Sequence, residues 1–91
     1  MVINAMERIM KELLDEYKHG LHIKCTCSEC MDDILALSLN QTKPRYVTNI
    51  DKVMYVKAEF IDKQEMTTLL VKLAECAKLV SDKPLCQTQG V

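Results

Sequence analysis

Three cysteines fall within six residues, as Cys25-x-Cys27-x-x-Cys30. Thiolates are soft donors, and three spaced this closely converge easily on one ion. Zinc is the usual metal of such a site. Cys27 and Cys30 stand three apart, which puts them on one face if a helix starts there. A helix N-terminus also lowers thiol pKa values, and thiolate is the form that binds metal. A closed tetrahedral site needs a fourth donor. Cys76, Cys86, His19 and His22 are available, and the usual ligand spacings do not choose among them. Cys76, set against the other three together, completes the set if the last helix folds back beside the cluster. Taken singly, Cys76 reads as a small buried apolar residue, Cys86 as a tail thiol and the two histidines as solvated. The competing chemistry is a redox switch, because Cys27 and Cys30 also form a Cys-x-x-Cys pair. No thioredoxin-like alternation of strand and helix surrounds that pair.

A second group is Lys43-Pro44-Arg45-Tyr46, two cations and an aromatic ring on a rigid turn. Arg45 suits a phosphate and Tyr46 a stacked base. The plainer reading is an exposed loop with Tyr46 anchored in the core. No glycine-rich phosphate loop and no serine nucleophile with its histidine and acid occur. A fully coordinated zinc offers substrate no open position, so a non-enzymatic protein is expected.

The elements that must hold these groups read as helices. Ile3, Met6, Ile9, Met10, Leu13, Leu14 and Tyr17 recur at helical spacing, which predicts a first helix over residues 4–19 with Asn4 as its cap and Gly20 as its stop. Residues 21–26 connect. Thr26 and Glu29 stand in the capping-box relation, so a second helix should begin at Cys27 and run to Asn40, with Ile34, Leu35, Leu37 and Leu39 on its apolar side. Pro44 breaks the chain, and Arg45 to Val47 are extended. Thr48 and Asp51 form another capping pair. Nothing between there and Asp82 stops a helix, since the next proline is Pro84. Met54, Ala58, Ile61, Met66, Leu69, Leu70, Leu73, Ala77 and Val80 can line one broad stripe. A long third helix of roughly 30 residues, about 45 Å, follows. One subunit cannot cover that stripe, so an all-α, three-helix subunit is expected to form an intertwined or helix-paired homodimer, with Leu69 and Leu73 in the seam.

With 91 residues the chain is one domain, taken as residues 1–83 with a disordered tail over residues 84–91. A domain this small has a marginal core and calls for a staple. Twelve basic and thirteen acidic residues balance. With an ordinary apolar fraction, that balance argues against intrinsic disorder, and direct nucleic-acid binding through a basic excess is not expected. Two glycines and two prolines favour a few long helices, and the six methionines read as core filler. The start carries charges every few residues, unlike a signal peptide, and no apolar run spans a bilayer. A soluble, cytoplasmic protein is expected.

The run Met10-Lys11-Glu12-Leu13-Leu14-Asp15, then Cys25-Thr26-Cys27-x-x-Cys30, Asp33-x-x-Ala36-Leu37-x-Leu39-Asn40 and Pro44-Arg45-Tyr46-Val47, resembles the late competence development protein ComFB family of Bacillus-type bacteria. The resemblance covers about residues 4–82. It implies a small helical zinc-binding homodimer, encoded beside the DNA-uptake helicase and a phosphoribosyltransferase-like protein. It further implies a regulatory or adaptor role in late competence, DNA uptake and natural transformation, with a protein of the uptake machinery as partner. Relatives, including some without the cysteines, are cyclic-dinucleotide receptors acting on competence or motility. By motif position the zinc ligands carry over to Cys25, Cys27 and Cys30, and the fourth does not. The Pro44-Arg45-Tyr46 segment is the part shared with the receptor-like relatives.

Overall fold

The computed structural model describes residues 1–83. The expected tail, including Cys86, lies outside the described residues. The elements are β1 (Ile3–Asn4), α1 (Ala5–Tyr17), α2 (Ser28–Asn40), β2 (Tyr46–Val47), a single 3-10 turn (Ile50–Lys52), α3 (Val53–Asp62) and α4 (Met66–Asp82). The protein is thus mostly helical. The two short strands pair antiparallel, Ile3 opposite Val47 and Asn4 opposite Tyr46.

Helix α1 is the amphipathic element read from the sequence. Met6, Ile9, Met10, Leu13 and Leu14 are buried, while Glu7, Arg8, Lys11, Glu12 and Asp15 face out. Asn4 caps it, its side-chain oxygen accepting from the Met6 N–H at 3.1 Å. The same oxygen accepts from the Arg45 N–H at 2.9 Å, and the Ala5 N–H donates to the Arg45 carbonyl at 2.6 Å. One side chain therefore starts the helix and fixes the segment that carries Arg45. Helix α4 packs most extensively on α2 and also on α1, burying Leu69, Leu73, Cys76, Ala77 and Val80 against Cys30, Ile34 and the α1 methionines. Among the described residues no buried side-chain nitrogen or oxygen lacks a hydrogen bond.

The long third helix is corrected. It is interrupted at residues 63–65, where Gln64 takes a left-handed conformation with φ 57°. The Gln64 N–H donates to the Ile61 carbonyl at 3.1 Å and the Glu65 N–H to the Phe60 carbonyl at 2.8 Å. This is the Schellman pattern that ends helices, normally with glycine at the left-handed position. Glutamine there pays about 1–2 kcal/mol in contact between Cβ and carbonyl, and gives the sequence no stop signal. The non-helical turn resets the helical phase. Helix α3 buries Val53 and Val56, so Met54, Ala58 and Ile61, expected in the stripe, are exposed, Met54 at 68%. Leu69 and Leu73 are buried in the chain's own core. Folding α3 back onto α1 covers what one straight helix would have left bare.

Two caps are also corrected. Cys27, and not Thr26, is the N-cap of α2, and Asn49 caps the 3-10 turn through its side chain where Thr48 was expected.

The double duty of Asn4 makes it the position to test. Asn4→Ala should lower the unfolding free energy by about 1–2 kcal/mol, and Asn4→Asp, which keeps the accepting oxygen, should recover most of it. Urea unfolding followed by circular dichroism measures both. Equal stability of all three proteins would contradict the assignment.

Candidate metal centre

The connector between α1 and α2 is bent tightly. The Gly20 N–H donates to the Tyr17 carbonyl at 2.9 Å, and His22 adopts a left-handed φ of 55°. The chain is then pinned to the last turn of α4: the Lys24 N–H donates to Ser81 Oγ at 3.2 Å, and Lys24 Nζ lies 4.0 Å from Asp82 Oδ1. Cys25 follows directly. Cys27 is extended, with φ −64° and ψ 159°, and its Sγ accepts from the Cys30 N–H at 3.4 Å. A sulfur here takes the place of the usual capping hydroxyl. That N–H stabilises negative charge on sulfur, as does the helix dipole behind it.

The outcome is convergence. One donor atom from each of Cys25, Cys27 and Cys30 lies within 4.8 Å of the other two. Zinc–thiolate bonds are about 2.3 Å, so two sulfurs on one tetrahedral ion sit about 3.8 Å apart. The three sulfurs match that requirement with small side-chain adjustments. Cys30 is wholly buried, and Cys25 and Cys27 are half-buried, so a bound ion would be shielded on the core side. Cys76 is buried in α4 and belongs to the same apolar cluster as Cys30, but is not one of the three mutually close donors. Burial pushes its thiol pKa up, Glu75 adds to the rise, and Lys72 opposes it. His19 and His22 are exposed and are not members of the donor group either.

Arg45 lines a different feature. A hollow of about 380 Å³ opens between the loop after α2, the end of α3 and the start of α4, with Lys43, Arg45, Lys72, Phe60 and Glu65 among its walls. Arg45 Nη2 donates to Glu59 Oε2 at 2.6 Å, and Lys72 Nζ donates to the Gln41 carbonyl at 2.9 Å. The Arg45 hydrogen bond, then its charge, holds the Glu59 carboxyl below the usual carboxylate range, with Lys63 assisting against slight burial. The carboxylate therefore stays charged further into acid than an ordinary one, and the pair is lost as pH falls through that lowered value. Tyr46 is 66% exposed and is not a wall of this hollow. Neighbouring residues of an extended segment point to opposite faces, so Arg45 and Tyr46 diverge. Phe60 is the aromatic ring beside the cations. The sequence carried no signal for that, because the hollow is lined by residues of three separate segments that meet only in the fold. Another hollow, about 670 Å³ along the outer face of α1, mixes Glu7, Arg8, Lys11, Glu12 and Asp15 and favours no one charge.

Fold and site together make this a small, mostly helical domain whose three clustered cysteines, at a helix start braced by the end of another helix, could hold a metal ion. The particular family follows from comparison: the family model for late competence development protein ComFB matches residues 3–84, and the chain belongs to that family. The chain is 54% identical over 91 residues to competence protein ComFB of Bacillus subtilis (strain 168), covering 98% of this chain and 93% of that protein. The solved structure of the late competence protein ComFB from Bacillus subtilis superposes with a TM-score of 0.91 at 54% identity, covering 96% of this chain and 98% of that one. Among the described residues no helix is long and apolar enough to cross a membrane.

Burial and a raised pKa should make Cys76 unreactive in the folded protein, since the thiolate is the nucleophile. Peptide mapping after iodoacetamide treatment should find Cys76 unmodified until denaturant is added. Modification at the rate of an unfolded peptide would contradict its place in the core.

Proposed function

We propose that this protein is a zinc-stapled, non-enzymatic module that self-associates and serves late competence as an adaptor or regulator, docking a protein of the DNA-uptake machinery in the cytoplasm. The convergence of Cys25, Cys27 and Cys30 carries the reading. Three thiolates at a helix start suit zinc better than a redox cycle, because the surrounding sheet is a two-stranded antiparallel pair without the strand–helix–strand frame of thiol oxidoreductases. A fourth protein ligand closes the site, leaves no position for substrate, and gives the small core the staple it needs. We assign that ligand to Cys76, which shares the apolar cluster of Cys30. Self-association draws support from the outer face of α3, where Met54, Tyr55 and Ile61 are more than half exposed.

Protein purified without chelator should carry about one zinc per chain, and chelation should lower its melting temperature. Cys27→Ser and Cys30→Ser should each lose the metal. Of Cys76→Ser and Cys86→Ser, the variant that loses zinc while the other keeps it names the fourth ligand. Metal-free protein from such a preparation would end the zinc reading.

A second reading, a cyclic-dinucleotide receptor, is favoured by the hollow in which Lys43, Arg45 and Lys72 surround Phe60. Arg45 would donate two parallel hydrogen bonds to phosphate, and Phe60 would receive a base. Calorimetry with cyclic di-GMP and cyclic di-AMP decides it. Arg45→Ala should weaken binding by about 1.5–3 kcal/mol. Glu59→Gln, which removes the competing carboxylate, should strengthen it. No heat with either ligand leaves the adaptor reading alone.

A further inference from the structure

We propose that the cysteine cluster is a peroxide-sensitive switch: oxidation joins Cys27 to Cys30 in a disulfide, releases the zinc ion and weakens the cap of α2. The proposal rests on the zinc reading and adds a second state of the same residues.

The first observation is the spacing of the sulfurs. One donor atom from each of Cys25, Cys27 and Cys30 lies within 4.8 Å of the other two. That spacing suits a shared ion, and it also leaves two sulfurs within a side-chain rotation of a bond. Cys27 and Cys30 are the pair best placed for one. Cys27 caps α2, Cys30 stands in its first turn, and Cys27 Sγ already accepts from the Cys30 N–H at 3.4 Å. Residues three apart at a helix start share one face, which brings their Cβ vectors together as a disulfide requires. Cys25 lies in the connector, outside that turn.

The second observation is unequal access. Cys27 is half-buried, whereas Cys30 is wholly buried. Hydrogen peroxide therefore meets Cys27 before Cys30. The Cys27 thiolate attacks one peroxide oxygen: an S–O bond forms, the O–O bond breaks and hydroxide leaves, giving a sulfenic acid. The Cys30 thiolate then attacks the Cys27 sulfur, forms the S–S bond and displaces a second hydroxide. Two electrons pass from the two sulfurs to the peroxide, and no other reactant is consumed. Cys25 is half-buried as well. Where peroxide meets it first, a disulfide to Cys27 forms and then exchanges onto Cys30, ending at the same pair.

The product differs from its parent in two ways. With two thiolates gone, Cys25 and the fourth ligand are too few for a closed tetrahedral site. A disulfide sulfur is also a weaker acceptor than a thiolate, so the Cys30 N–H loses a charge-assisted bond. Both losses fall on the start of α2, while the ties from Lys24 to Ser81 and Asp82 are untouched. Oxidation thus opens the staple and leaves the seat of α4 in place.

Full-length protein, analysed first for metal, is treated with hydrogen peroxide while the chromogenic chelator pyridylazoresorcinol reports free zinc. About one zinc per chain should be released, and dithiothreitol with added zinc should restore it. Denaturation in iodoacetamide and cleavage after Glu29 then part Cys30 from Cys25 and Cys27, which share the other fragment. The switch predicts the two fragments joined, with Cys25 alkylated. Cys25→Ser should still form the link. Zinc retained, with all three cysteines alkylated, would overturn the switch and leave the zinc reading standing. A final disulfide that includes Cys25 would overturn the pair. Protein without metal at the outset would overturn the zinc reading and the switch with it.

Discussion

The seating of α4 against α2 and α1 is the constraint on which the rest of the molecule depends. This single helix supplies Leu69, Leu73, Cys76, Ala77 and Val80 to a core that otherwise consists of one face of α1 and a few residues of α2 and α3. It also reaches both segments that carry chemistry. In its first half Lys72 holds the Gln41 carbonyl and lines the basic hollow, and in its last turn Ser81 and Asp82 hold Lys24, the residue before the first cysteine. From Lys72 to Ser81 the helix rises about 14 Å, so the two features are held apart along one rigid rod. A zinc ion bound by the thiolate trio would fasten the connector and the start of α2 beside the end of that rod. In a domain too small for its core to suffice, that is where a staple does most.

The first two residues of ordered structure act in a similar way at the other side of the fold. Asn4 uses one oxygen to start α1 and to hold the Arg45 backbone, and the strand pair fixes the register between the two segments. Arg45 then crosses to Glu59 on α3, and Lys57 reaches Glu12 on α1 at 3.2 Å. Both ion pairs are partly exposed, so solvent screening leaves them only a modest share of the stability. Their effect is directional. They fasten α3 to α1 and to the loop after α2, and leave its junction with α4 to the turn alone.

Much of this was legible in the sequence where one residue type carries one meaning. The α1 stripe, its Asn4 cap, the stop near Gly20, the extended piece at Tyr46 and Val47, and the cysteine cluster at the start of α2 follow from spacing and local chemistry. The break at Gln64 did not. A left-handed glutamine is set by tertiary packing, which gains more by folding α3 onto α1 than the strained turn costs, and nothing in Lys63-Gln64-Glu65 announces it. The error then propagated by phase: Met54 and Ile61 went to the core on paper and to the surface in the fold, and Phe60 went unnoticed as a wall of the basic hollow. At the cysteine cluster the residues were read correctly and the cap was displaced by one, because a sulfur acceptor at Cys27 does what the Thr26 hydroxyl was expected to do.

That displaced cap has a chemical consequence. With Thr26 as the cap, all three sulfurs would have been bystanders to the helix start. With Cys27 as the cap, its sulfur accepts the Cys30 N–H, so a metal ion held there would draw on the same sulfur that helps to begin α2. A protonated thiol is a weak acceptor, whereas a thiolate, bare or metal-bound, is a strong one. A metal ion bound there would thus reinforce the first turn of α2. Because Cys30 and Ile34 on that helix pack into the core with α4, the gain reaches the apolar core directly.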